Sequence, residues 1–143
     1  MNAANTILVV DDEEDIRNSV GRILRNQGYE VWFAKDGEEA LSMLRNWDEV
    51  DLVILDVMMP KLNGFEVLQG LRKKMRSNVP VIMLTARSTE MDVADGYLKG
   101  ADFYLTKPFD LNMLLDSVEF LLGDSNIIAL ENSDTPAERE SGV

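Results

Sequence analysis

Leu52-Val53-Ile54-Leu55 is an unbroken apolar run that ends in one carboxylate, Asp56, with Pro60 four residues further on. A run this short, without polar alternation, reads as a strand buried on both faces. Such strands occupy the centre of a parallel sheet with helices packed above and below it. A carboxylate closing such a strand is carried to the rim of the sheet, where open α/β folds bind their ligands. Thr6-Ile7-Leu8-Val9-Val10 is a second run of the same kind, and it ends in Asp11-Asp12.

Around these two strands the apolar period alternates between two and 3.6. Ile16, Val20, Ile23 and Leu24 predict a helix that Gly28 ends. Tyr29–Ala34 is a more polar strand suited to a sheet edge. Asp36 and Glu39 fit a capping box opening a helix that buries Ala40, Leu41 and Leu44. Asn63 and Glu66 open another, with Phe65, Leu68, Leu71 and Met75 on its inner face. Val79–Leu84 is the fourth strand, ending at Thr85, with Pro80 tolerable only near its start. A weakly apolar helix follows (Thr89 and Asp92 as caps; Val93, Ala94, Tyr97 and Leu98 inside), closed by Gly100. Asp102–Leu105 is a short fifth strand, and Asp110 caps a last helix striped with Leu111, Leu114, Leu115, Val118, Leu121 and Leu122. Five strands alternating with five helices predict an α/β doubly wound parallel sheet. The most apolar strands belong at its centre and the polar second strand at an edge, which gives the flavodoxin-like order 2-1-3-4-5. Residues 1–123 read as one domain. Residues 124–143 carry net charge −4 and read as an acidic, disordered tail in which Ile127-Ile128-Ala129-Leu130 extends the last helix or docks weakly.

Composition removes several chemistries. The chain of 143 residues has no cysteine and no histidine, which excludes disulfides, thiolate metal sites, cysteine nucleophiles and His-based general bases. A net charge of −12 repels nucleic acid and anionic membrane, so no direct contact with either is expected. There is no apolar run of membrane-spanning length and no secretory signal at the N-terminus, so the expected location is cytoplasmic.

In a parallel sheet all strands end on one side, so Asp11, Asp12, Asp56, Thr85 and Lys107 meet at one rim. Each has an ordinary reading alone. Asp12 would cap the first helix with Asp15 at its third position, Thr85 would be a turn residue and Lys107 a solvated loop lysine. Together they are harder to dismiss. Three carboxylates packed at one point repel one another and call for a cation, and an all-oxygen donor set suits a hard, partly hydrated ion, Mg²⁺ best.

These residues carry a resemblance. Val9-Val10-Asp11-Asp12-Glu13, Asp56-Val57-Met58-Met59-Pro60, Asn63-Gly64, Leu84-Thr85-Ala86 and Lys107-Pro108-Phe109 resemble, in order and spacing, the receiver domain of two-component response regulators. The likeness covers roughly residues 6 to 122. It implies that Asp56 is the phosphoacceptor, taking a phosphoryl group from the phosphohistidine of a sensor histidine kinase or a phosphotransfer protein. It implies that Asp12 and Asp56 bind Mg²⁺ directly, Asp11 through water and Met58 through its backbone carbonyl. Thr85 and Lys107 would bind the phosphoryl oxygens, with small Ala86 leaving their pocket open. The Lys107-Pro108 bond is usually cis in this family. Thr85 and Tyr104 would form the switch, repacking the face of the weak helix, the fifth strand and the last helix. Met58 and Arg87 stand at positions that tune phosphoryl lifetime.

Three other functions each lack a residue or a reason in this sequence. A haloacid-dehalogenase-type, Mg²⁺-dependent phosphatase with an aspartyl nucleophile needs an acid two residues after Asp56, where Met58 stands. A flavodoxin-like FMN binder needs a phosphate cradle where Asp11 to Asp15 would repel phosphate. A receiver-fold adaptor that works without phosphorylation has no use for the full set Asp56, Thr85 and Lys107. The expected product is therefore a signalling switch rather than a turnover enzyme, catalysing only its own phosphotransfer and slow autodephosphorylation. Its output would be a protein target, a phosphorylation-dependent dimer or an effector domain. The length of the tail favours a stand-alone receiver slightly.

Overall fold

The computed structural model describes residues 4–47, 49–86 and 100–123. In chain order these form β1 (Thr6–Val10), α1 (Glu14–Asn26), β2 (Glu30–Ala34), α2 (Gly37–Asn46) and β3 (Leu52–Asp56). They continue with α3 (Gly64–Gln69), a π-helical segment (Gly70–Lys74), β4 (Val81–Thr85), β5 (Phe103–Thr106) and α4 (Leu111–Leu122). The strands make one parallel sheet of order β2-β1-β3-β4-β5, the predicted topology. The helix expected around residues 89–99, Arg87 and the tail from residue 124 lie outside the described residues. Among the described residues no helix is long and apolar enough to cross a membrane.

Alternation along the strands sorts the core into two layers. Ile7, Val9, Leu52, Ile54, Ile82 and Leu84 face α1 and α4, meeting Val20, Leu24, Leu114 and Val118. Leu8, Val10, Val53, Leu55, Val81 and Met83 face α2 and α3, meeting Ala40, Val67 and Leu68. Every residue of β3 and β4 is buried, as a doubly covered strand requires.

Local capping follows the sequence in most places. Asn63 and Glu66 form a reciprocal capping box, and Asp110 accepts from the Asn112 amide at 2.7 Å. Gly28 takes φ 94° just past α1, as a left-handed terminator does. Asp36 accepts from the Glu39 amide, but Glu39 reaches back to the Lys35 amide instead of that of Asp36. Asp12 does not cap α1. The helix starts at Glu14 with Glu13 in the capping position and no side-chain cap, because the free Glu13 amide is already bound by Asp11 Oδ1 at 2.9 Å.

The second half of α3 departs from expectation. Met75 donates to the Gly70 carbonyl, widening the helix into a π turn. That turn presents Arg72 to the carbonyls of Ser77, Val79 and Gly100 and to Asp102, tying α3 to the entrances of β4 and β5.

Candidate functional site

The carboxyl ends of β1, β3, β4 and β5 build the site. β1 delivers Asp11 and β3 delivers Asp56, both almost wholly buried at 0% and 2% exposure, while Asp12 stands in solvent beside them. Their carboxylates each offer an oxygen within 4.8 Å of the others. Lys107 reaches back from the end of β5. Its Nζ lies 3.1 Å from Asp11 Oδ2, 3.4 Å from Asp56 Oδ1 and 3.5 Å from Glu13 Oε1. Thr85, at the end of β4, is also buried. The Lys107 amide donates to its carbonyl at 2.6 Å, holding the turn that carries the lysine, and the Lys107-Pro108 bond is cis as expected.

The electrostatics are unbalanced. Burial pushes the Asp56 carboxyl up to about 7 and the Asp11 charge adds to this, while Lys107 and the Met58 amide pull the other way. Burial alone would lower the Lys107 ammonium, but its bond to Asp11 and the charges of Asp56 and Asp11 outweigh that and raise it. One ammonium thus serves two buried carboxylates and a third at the surface. Both Asp11 oxygens have protein donors, Glu13 N–H and Lys107. Asp12 has none among the described residues. A set of three converging carboxylates, with charge still to be neutralised and no nitrogen or sulfur donor, fits a hard divalent cation such as Mg²⁺.

Asp11, Asp12, Asp56 and Lys107 therefore converge, with Thr85 buried at the end of the neighbouring strand, while Arg87 lies outside the described residues. The Met58 side chain stands 54% exposed, and its amide donates to Asp56 Oδ1 at 3.3 Å. Tyr104 is half-buried against the α2 and α3 core layer. In the β4–β5 register it sits opposite Met83, two pairs behind Thr85 and therefore on the same face. Two contributors were not singled out in advance. Glu13 takes a share of Lys107. Gly64 approaches the acceptor backbone so closely that a Cβ there would fall against the Asp56 carbonyl oxygen and 2.9 Å from Val57 Cα. The Gly64 amide also donates to the Val57 carbonyl at 2.9 Å, so the first turn of α3 clamps the loop that follows Asp56. The Asn63-Gly64 pair was visible as a motif, but nothing in one sequence says which backbone a glycine must admit.

Comparison with known proteins agrees with this geometry. The model of the response regulator receiver domain matches residues 7–119. The chain is 43% identical over 122 residues to the transcriptional regulatory protein CpxR of Escherichia coli, covering 85% of this chain and 51% of that protein. It is 45% identical over 137 residues to the alkaline phosphatase synthesis transcriptional regulatory protein PhoP of Bacillus subtilis, covering 96% and 56%. It spans about half the length of the curated relatives it matches. Among solved structures it superimposes on the Vibrio cholerae chemotaxis protein CheY4 with TM-score 0.78 at 35% identity, covering 83% of this chain and 99% of that one. On the response regulator TrrA of Thermotoga maritima, solved in complex with Mg²⁺ and BeF, the TM-score is 0.73 at 39% identity, covering 82% and 98%. The chain belongs to the response regulator receiver domain family, whose members are phosphorylation-dependent signalling switches.

Proposed function

We propose that Asp56 takes a phosphoryl group from the phosphohistidine of a sensor histidine kinase or a phosphotransfer protein, and that the acyl phosphate changes which protein surface the domain offers. The observation that carries this is the buried Asp56 carboxylate, 3.4 Å from Lys107 and grouped with Asp11 and Asp12 at the rim.

The residues divide the work. An Asp56 oxygen forms the new P–O bond as the P–N bond to the donor imidazole breaks, and the imidazole keeps the electron pair. Such a transfer has a loose, in-line transition state, so catalysis is mostly positioning and charge neutralisation. The Gly64 contact and the fully buried β3 hold Asp56 still. Lys107 shifts its share of charge from Asp11 and Glu13 toward the arriving phosphoryl oxygens, and the Thr85 hydroxyl donates to another. Asp12 and Asp56 would hold Mg²⁺ directly, Asp11 through water and Met58 by its carbonyl; when bound, the ion supplies positive charge against the repulsion between carboxylates and phosphate. The exposed Met58 side chain, two residues past the acceptor, would hinder the attacking water, so Met58→Asn should change the dephosphorylation rate.

Movement of Thr85 toward the phosphoryl group vacates space on the face where Tyr104 lies two pairs behind. The ring then turns inward and the surface around β5 and α4 repacks, as a shift between conformations already populated. The reader of that surface is a downstream protein, a second copy of the receiver or an effector domain. Relatives of about twice this length favour the effector. The protein acts as a switch, with only its own phosphorylation and slow autodephosphorylation as chemistry.

Incubation with acetyl phosphate and Mg²⁺, followed by phosphate-affinity electrophoresis, tests the reading. Wild type should give one retarded band and Asp56→Asn none. No band in wild type would favour an adaptor that works without phosphorylation.

A further inference from the structure

Far from the rim, the fold brings together both tryptophans of the chain. Trp32 lies on the edge strand β2 and Trp47 follows α2, and their ring centroids are 4.8 Å apart with planes tilted by 43°. Each remains about two-fifths exposed, at 40% and 43%. Beside them is a shallow recess of about 100 Å³ whose other walls are Thr6, Glu30, Glu49 and Val50. Glu30 is two residues from Trp32 on the same strand, so both side chains emerge on one face. No lysine or arginine lines the recess, and neither carboxylate has an ion-pair partner among the described residues. The nearby Asp51 is already used, accepting from the Thr6 amide at 2.8 Å, and Arg45 opens with Trp47 onto the neighbouring groove between α2 and the start of β4.

We propose that this recess receives the arginine side chain of a partner protein, with Trp32 and Trp47 as the stacking surface and Glu30 and Glu49 as the counter-charge. Ring packing at a sheet edge explains why the two indoles touch each other. It does not explain why two carboxylates without an ion-pair partner among the described residues line the same recess. Indole faces and carboxylates attract the same thing, a cation. A planar guanidinium meets both demands, stacking on an aromatic face while its edge donates to carboxylate, which a compact ammonium cannot do as well. The recess is the size of a side-chain tip rather than of a free metabolite, and the net charge of −12 draws a basic partner toward it. Thr6 and Glu30 open β1 and β2, about 15 Å along the strands from their far ends, so the recess is separate from the phosphoacceptor rim.

Because both tryptophans lie here, the tryptophan emission of the full chain, excited selectively over tyrosine, reports on this recess, and the paired carboxylate substitution below separates it from the neighbouring groove that Trp47 also lines. The test titrates it with a capped tripeptide carrying arginine between two glycines, and in parallel with the same peptide carrying citrulline, which keeps the shape and removes the charge. The expected result is a saturable emission change with the arginine peptide in the millimolar range and none with citrulline. The paired substitution Glu30→Gln and Glu49→Gln, both on exposed side chains, should weaken the arginine response about fivefold. Equal responses to the two peptides, an arginine response untouched by the paired substitution, or no saturable change with the arginine peptide would each overturn the proposal.

Discussion

β1 and β3 lie side by side, and their two ends are finished in opposite ways. At the N-terminal end Thr6 and Asp51 exchange hydrogen bonds, the Thr6 amide to Asp51 Oδ2 and the Asp51 amide to the Thr6 carbonyl, both 2.8 Å. Both amides, the Thr6 carbonyl and one Asp51 carboxylate oxygen are thus paired on half-exposed ground. At the C-terminal end the same strands deliver Asp11 and Asp56, both buried, to a single lysine that Glu13 also claims. Between the ends the strands are wholly apolar and buried. Nothing in the core requires charge at the far rim, and a buried, undercompensated carboxylate lowers stability. The imbalance fits the proposed binding of a cation and an anion at this rim, while at the other end the bonds hold the strands in register.

The largest effect should come from disturbing the rim through its backbone. In Gly64→Ala the new methyl group would press on the Asp56 carbonyl and Val57. Relief requires α3 or the Asp56 loop to move, at a cost of about 2–3 kcal/mol by analogy with overpacked cores. Phosphorylation by acetyl phosphate should slow at least about tenfold, since an acceptor displaced by even about 1 Å loses its in-line geometry. The Thr6–Asp51 end should keep its amide-exchange protection. An unchanged rate would show that the close approach of Gly64 does not position Asp56.

How well each end could be read in advance follows from the same physics. Strand content, sheet order and the rim carboxylates were legible because periodicity and parallel topology are properties of local sequence: once β3 and β1 are strands, Asp56 and Asp11 must share a rim. The capping of α3 by Asn63 and of α4 by Asp110 was legible for the same reason. What stayed hidden depends on contacts between distant segments. Asp12 lost its capping role because Asp11 took the Glu13 amide. The π turn at Gly70–Lys74 serves Arg72, whose acceptors lie up to 30 residues away. The Trp32–Trp47 pair and the Gly64 contact likewise exist only once helices have packed on the sheet.

A smaller effect, and opposite in sign, is expected from Asp56→Asn in the absence of Mg²⁺. The folded protein holds the Asp56 proton up to about pH 7, whereas an unfolded chain releases it near 4. Between these values the folded state binds the extra proton, so stability falls as pH rises and the loss is complete above about 7. Asparagine carries no such penalty. The variant should gain about 2 kcal/mol over wild type at pH 8, with the advantage fading toward pH 4. Urea unfolding at the two pH values checks this. A gain independent of pH would place the cause in packing rather than in charge. Adding Mg²⁺ should stabilise wild type and leave the variant nearly unmoved, because one of the three converging carboxylates is gone.

The smallest effect belongs to the balanced end. Asp51→Ala removes the acceptor of the Thr6 amide while leaving the Asp51 position's own amide bonded to the Thr6 carbonyl. Both residues are only partly buried, so water can replace the lost oxygen and the cost should be about 1 kcal/mol. Since the strands between the two ends are rigid and fully packed, that loss should stay where it is made. The rate of phosphorylation should remain within about twofold of wild type, a difference below about 0.5 kcal/mol in barrier. A larger change would mean that register at the entrance of β1 and β3 is transmitted along the strands to Asp11 and Asp56. The two ends would then be one mechanical unit, and the acceptor's position would depend on pairing about 15 Å away as well as on the Gly64 contact beside it.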